Sequence, residues 1–275
     1  MLPHNERTKM MNMIKAAAAY IAERAPFTPE VGIILGTGLG GLVEHIDIKL
    51  DIPYEEIPHF PVSTVEGHSG RLIFGILGGK QVVAMQGRFH FYEGYTPQQV
   101  VFPVRVLKMV GIKTLFVSNA AGGMNSSFRV GDVMVITDHI NLIPNPLIGK
   151  NIAELGPRFP DMNDAYSPEL RALATQIAEE QGIKLQYGCY VALTGPTFET
   201  PKEYHYVKAI GGDAVGMSTA PEVIAARHMG LPVFGVSIIT DTMDNLSVSH
   251  EEVQREGKKA EKRMSALFIG ILERM

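Results

Sequence analysis

Short, almost wholly apolar runs such as VGIIL at 31–35 and TLFV at 114–117 alternate with amphipathic stretches along most of this chain. A strand that is apolar at every position is covered on both faces, so helices must lie above and below its sheet. The pattern predicts strands over 31–35, 72–77, 81–86, 114–118, 133–137, 187–193 and 233–239. Apolar residues at helical spacing predict helices over 8–24, 97–109, 167–181, 201–210, 221–229 and 250–274. The expected class is α/β, built on a buried, largely parallel or mixed sheet.

Two stretches break the alternation. Residues 51–70 carry three prolines and two glycines, and 141–166 are rich in Pro, Asn and Asp. Loops of that length inside a compact domain usually carry function or sit at interfaces. With no internal repeat and no linker, the 275 residues read as one domain over 1–275.

Charge and cysteine usage narrow the function classes. Twenty-five Lys and Arg against 29 Asp and Glu leave a formal charge of −4, with no basic surplus to hold a phosphate backbone. That argues against a nucleic-acid partner. The single cysteine, Cys189, cannot form an intramolecular disulfide, which fits a reducing compartment. The first helix is amphipathic: Met10, Met13, Ile14, Ala17, Ala18 and Ile21 share a face, while Lys9, Lys15, Glu23 and Arg24 interrupt any membrane-spanning run. No secretory cleavage site follows it, so a soluble cytoplasmic protein with no membrane partner is expected.

Six short motifs fall at predicted strand ends. The first, Gly36-Thr37-Gly38-Leu39-Gly40-Gly41, matches GxGxxG. A dinucleotide fold also needs a long helix and an acidic residue after a second strand. Here the helix can hardly extend beyond Leu42 to His45, and IPYEEIPHFP follows. A phosphate-binding turn and a turn used only for tight packing remain the two readings. In the second motif, Arg88 and His90 stand two apart, so in an extended segment both face one way; Arg is a forked donor suited to phosphate.

The third, SNAAGG at 118–123, lets a ligand approach the backbone at a strand's carboxyl end. The fourth sets Phe198 beside Glu199; the fifth, Asp213 to Thr219, runs into a helix at Pro221 that Ser218 or Thr219 could cap; the sixth is Ile239-Thr240-Asp241. No HExxH, CxxC, GxSxG or GxxxxGK[ST] pattern is present, so metal and covalent chemistry have no sequence support. Cys189, in an apolar run, reads as packing.

In order along the chain, ILGTGLGGL, FPVSTVEGHSGRL, MQGRFHFYEGY, SNAAGG, TDHINL, RFPDMNDAY, GPTFET, DAVGMST and SHEEV resemble the motifs of the trimeric purine nucleoside phosphorylases, the low-molecular-mass branch of the purine phosphorylase family. The resemblance runs from about 31 to 252. It implies a single α/β domain with a twisted central mixed sheet flanked by helices, a homotrimer, and no metal or organic cofactor. Inorganic phosphate would be the co-substrate. The implied reaction is a purine-salvage one: purine nucleoside plus phosphate gives free purine and ribose (or deoxyribose) 1-phosphate.

By the same resemblance, Thr37, Arg88, His90, the backbone of Ala120, and Ser218 would hold phosphate. Tyr92 and Met217 would lie against the sugar, with His250 reaching its 5′-hydroxyl and Phe159 closing over it from the adjacent subunit. Ala121, Gly122, Phe198, Val215 and Gly216 would surround the base, and Glu199 and Asp241 would read its polar edge. His90, Glu199, Asp241 and His250 are the catalytic candidates, Asn119 would orient the neighbouring loop or base edge, and His68 belongs to a loop by the phosphate.

Two departures point toward the related methylthioadenosine phosphorylases: Thr37 and Asp241 stand where the nucleoside branch usually has Ser and Asn. Glu199, His250 and SNAAGG point back to nucleosides. From a different class, a non-catalytic nucleoside- or phosphate-binding protein would bind inosine and phosphate without releasing ribose 1-phosphate. Asp241 carries a further expectation. An ionised Asp is acceptor-only, so it repels O6 and N7 of a 6-oxopurine but accepts from a 6-amino group. Inosine and guanosine should still be cleaved, and adenosine measurably so, unless Asp241 turns away from the base and is satisfied by nearby hydroxyls or amides.

Overall fold

Strand β1, Val31–Leu35, is buried at every residue, and its side chains divide between two cores. Ile34 packs with α1 (Asn5–Arg24) and α3 (Phe102–Val110) on one face. Ile33 and Leu35 face α4 (Pro168–Gln181) and α7 (His250–Arg274) on the other. Strand alternation thus explains why an unbroken apolar run was needed. On the α7 side Phe116, Phe234 and Phe268 meet with centroids 5.2–5.9 Å apart, each pair near edge-to-face. A computed structural model describes residues 5–62, 64, 69–243 and 249–275.

The remaining strands are β2 (Asp47–Pro53), β3 (Arg71–Leu77), β4 (Lys80–Gln86), β5 (Thr114–Gly123), β6 (Val133–Asn141), β7 (Leu185–Ala192), β8 (Ala214–Gly216) and β9 (Val233–Thr242). Among the described residues they form one mixed sheet, ordered β2-β3-β4-β1-β5-β8-β7-β6-β9, in which β9 also pairs back with β5. Five strands therefore close a circuit. β5 is parallel to β9 and antiparallel to β8, while β6 links β9 to β7. The mixed α/β sheet expected from the sequence is what forms.

Element limits differ from expectation where tertiary pairing overrides propensity. β5 continues five residues past Ser118, because Gly122 and Gly123 pair with both β8 and β9. β6 likewise runs on to Asn141 against β7. β2 was expected to be part loop. Asp47, Lys49 and Asp51 leave it little apolar surface, and it pairs only with β3, as an edge strand guarded by charges. The helix expected over 97–109 is two helices, α2 (Pro97–Val100) and α3, joined at Val101. Pro103 has no N–H to continue the first ladder and sits instead in the opening turn of the second.

Capping boxes open two other helices: Thr200 with Glu203 at α5 (Pro201–Ala209), and Ser249 with Glu252 at α7. The cap expected from Ser218 or Thr219 on α6 (Ala220–His228) does not form. Thr219 occupies the N-cap position, but its side chain turns away from the helix. No helix among the described residues is long and apolar enough to cross a membrane.

Candidate active site

The carboxyl ends of β1, β4, β5 and β9, with the segments beside β8, open onto a cavity of about 520 Å³. At one end lies Arg88, just past β4 and only 2% exposed. Its Nε–H donates to Glu222 Oε1 at 2.9 Å, and Nη1 donates to the Ser118 carbonyl at 2.7 Å and to Ser218 Oγ at 3.3 Å. Three contacts to three elements fix the guanidinium plane and leave an anion to approach from the cavity. Gly36 makes the approach of the first loop possible: a Cβ there would lie 2.7 Å from the Ser118 oxygen and 3.3 Å from Arg88 Nη1.

His90 is held by its own short turn. Its Nδ1 lies 2.9 Å from Glu93 Oε2, and its backbone N–H donates to the same oxygen at 2.7 Å. Burial would raise the Glu93 pKa, but hydrogen bonds from His90 and Thr64 outweigh this and hold it down at about 2. Burial lowers the His90 pKa, the Glu93 hydrogen bond offsets this in part, and the charge of Arg88 lowers it further. A neutral imidazole that donates from Nδ1 to a carboxylate leaves Nε2 as an acceptor. The Tyr92 ring stacks on His90 at 4.7 Å, with its hydroxyl pKa pushed up to about 12 by burial.

Next to Ser218 in the chain stands Thr219, at φ 69° and ψ −56°. The Ala220 N–H donates to the Ser218 carbonyl at 2.8 Å across it, closing a γ-turn of the rare, strained hand. Such strain persists only where surroundings over-determine it. Here the Asn119 amide donates to Thr219 Oγ1 at 2.9 Å, Ser218 Oγ lies 3.0 Å from the same atom, and Tyr190 Oη receives the Ser218 N–H at 3.2 Å. The turn presents Ser218 to the cavity beside Arg88.

The far end is carboxylate-rich. Asp241, at the end of β9, is 6% exposed and accepts from Thr240 Oγ1 at 2.9 Å. The Tyr204 hydroxyl of α5 also bonds to it. Burial raises the Asp241 pKa; burial, then the charges of Asp241 and Glu203, raise that of Glu199 to about 7. Ala121, Gly122, Phe198, Val215 and Gly216 line this end. A Cβ on Gly122 would meet Asp241 Oδ2 at 2.9 Å, so a glycine is needed beside the carboxyl. Tyr92, Met217 and, from the first turn of α7, His250 also line the cavity.

All the sequence candidates for this site in one chain reach the cavity, including Thr37, Asn119 and Ala120. Phe159 does not: it is 87% exposed, outside the cavity of its own chain. His68 lies outside the described residues. Thr64 and Val253 line the cavity without having been singled out, Glu93, Pro196 and Thr240 line it from motifs in which they were given no role, and Glu222, Tyr190 and Tyr204 support it from behind. Glu93 had a local signal, three residues after His90, the spacing of a capping box. Glu222 and Tyr204 had none, because their partners are remote in sequence. Among the described residues no group of three or more His, Cys, Asp or Glu is placed to hold a metal. Cys189 is half-buried, its thiol pushed up to about 11 by burial and then by Asp138 and Asp213.

The family model described as "Phosphorylase superfamily" matches residues 30–273. The chain belongs to the phosphorylase superfamily. Among superfamily relatives, purine nucleoside phosphorylase 1 of Bacillus subtilis (strain 168) is 52% identical over 254 residues, 91% of this chain and 94% of the relative. The crystal structure of Schistosoma mansoni purine nucleoside phosphorylase in complex with adenosine superposes with a TM-score of 0.92 at 44% identity, covering 96% of this chain and 98% of that one. The same Schistosoma phosphorylase in complex with guanosine gives a TM-score of 0.90 at 44% identity over 96% of this chain and 97% of the other. A phosphorylase needs an anion pocket and a base pocket separated by the width of a sugar, and this cavity has polar groups of both kinds at its two ends. The dinucleotide alternative fails, since only a 3-10 turn, Gly40–His45, follows the glycine loop.

Proposed function

We propose that the chain is a purine nucleoside phosphorylase, cleaving inosine, guanosine, their deoxy forms and adenosine with phosphate as co-substrate. The observation that carries this is one cavity lined both by a clamped arginine, Arg88, and by two carboxyl side chains, Glu199 and Asp241. Relatives bearing the purine nucleoside phosphorylase name, at about half identity over most of the chain, support the nucleoside reading over the methylthioadenosine one.

Arg88, Ser218, Thr37 and the Ala120 N–H hold the phosphate, and His90 Nε2 accepts from its acidic hydroxyl. Tyr92 and Met217 pack the sugar and His250 orients its 5′-hydroxyl. As the C1′–N9 bond lengthens, its electron pair leaves with the purine and C1′ becomes cationic. Phosphate first stabilises that charge and then forms the new C1′–O bond. The chain's work is positioning and electrostatic, so no protein nucleophile, metal or organic cofactor is required. Phe159 serves the site of a neighbouring subunit in a homotrimer: a phenyl ring so exposed on its own chain gains burial only against another.

Incubating the protein with inosine, with and without phosphate, tests the reaction. Phosphate-dependent release of hypoxanthine with equimolar ribose 1-phosphate is expected. Binding of both ligands without release would leave a binding protein instead.

A further inference from the structure

The carboxyl pair at the base end differs in its two halves. Asp241 receives the Thr240 hydroxyl on Oδ1 and the Tyr204 hydroxyl as well, and both bonds stabilise its ionised form. Glu199 receives no such side-chain donor among the described residues; its own backbone is its one hydrogen-bonding aid. The charged groups acting on it are both negative: Asp241 from β9 and, from α5, Glu203, whose carboxylate is fixed by the Thr200 N–H at 2.7 Å. The other titratable neighbour, Tyr204, is pushed further toward its neutral form by burial, Asp241 and Glu199. Two anions with no neutralising cation among the described charged neighbours of Glu199 cannot both persist in a partly dry pocket.

We propose that Glu199 carries one proton for this pair and that its presence or absence decides which purine the site accepts. With Glu199 protonated, the wall presents a donor beside the Asp241 acceptor. Adenine's Watson–Crick edge has the complementary order, an N1 acceptor beside a 6-amino donor. With Glu199 ionised, the wall accepts the N1–H of hypoxanthine or guanine and repels the N1 lone pair of adenine. Burial and the charges of Asp241 and Glu203 push the Glu199 pKa up to about 7, so one pocket would serve both base classes in proportions set by pH. This rests on the reading of the cavity as a nucleoside site.

The experiment is the ratio of kcat/KM for adenosine to that for inosine between pH 5.5 and 8.5. Ionisation of phosphate, and of groups at the phosphate end, acts on both substrates and cancels in the ratio. The ratio should fall by up to tenfold per pH unit across the whole range, because adenosine follows the protonated fraction of Glu199 and inosine the ionised one. In Glu199→Gln, whose amide donates or accepts without titrating, it should become independent of pH. A flat wild-type ratio overturns the proposal, and so does a pH-dependent ratio in Glu199→Gln. Calorimetry with the free bases, run in buffers of different ionisation enthalpy, removes the dependence on turnover. Adenine should bind with proton uptake at pH 8, and hypoxanthine with proton release at pH 6. That result with no phosphate-dependent cleavage would bring down the reaction and keep the protonated pair. Cleavage with base binding that exchanges no proton would do the reverse.

Discussion

Arg88 and Glu222 form an ion pair at 2.9 Å in which both side chains are at most 3% exposed. Neither is close to the other in sequence, since Glu222 comes from the first turn of α6. The pair ties the arginine of the anion end to the helix that follows Ser218. A buried charge stripped of its partner costs about 3–5 kcal/mol. Glu222→Ala should therefore lower stability by about that amount, read as a reduced midpoint in urea. Full wild-type stability would mean the pair is not buried in solution.

Arg88→Ala acts on the other side of the same pair. Losing a charge-assisted contact of about 1.5–3 kcal/mol should raise the KM for phosphate by about tenfold or more, and that for inosine far less. Steady-state kinetics with each substrate varied in turn reads the split; an unchanged phosphate KM would remove Arg88 from the anion site.

Glu93 should contribute to acid tolerance. Its pKa is depressed from 4.5 to about 2, so its stabilisation is complete above the unfolded value and is lost as pH falls through the folded one. Wild type should be more stable than Glu93→Gln at pH 6, with the difference shrinking between about pH 5 and 2. Thermal melts across that window check this, and a gap that does not narrow in acid contradicts the shift.

Phe159→Ala separates a shared site from a shared interface. Nucleoside KM should rise by about tenfold, the scale of one lost aromatic contact. Sedimentation should match that of the wild type. Unaltered nucleoside binding would remove Phe159 from any neighbouring site.

Asp241→Asn replaces an acceptor-only side chain by one that also donates. The ratio of specificity constants should move toward inosine by about tenfold, or about 1.4 kcal/mol. Adenosine cleavage equal in both proteins would show that the carboxyl does not read the base.

How much of this was legible in the chain varies with the range of the interaction. VGIIL announced a strand buried on both faces, and Arg88-Phe89-His90 announced two polar side chains on one side, because both signals are local. The strand expected over 114–118 stops short, since the small residues after Ser118 have little strand propensity of their own; they are strand only because β8 and β9 lie alongside. Thr219 looked like a helix cap. Its γ-turn became visible only once Asn119, a hundred residues earlier, was seen to hold its hydroxyl. Glu222 read as an ordinary acidic residue in a first helical turn, and nothing in sequence connects it with Arg88.

The closed circuit of β5, β9, β6, β7 and β8 leaves the sheet one free edge among the described residues, at β2. Peeling from that edge must pass β3 and β4 before it reaches β1, and it meets Arg88 at the tip of β4 long before Asp241 on the ring. The two halves of the cavity therefore have unequal mechanical backing. Arg88 and His90 hang from strands that can open in sequence, whereas Ala120, Ser218 and the base end belong to a hoop that must break as a unit. Amide exchange should grade accordingly, fastest along β2 and slowest around the hoop.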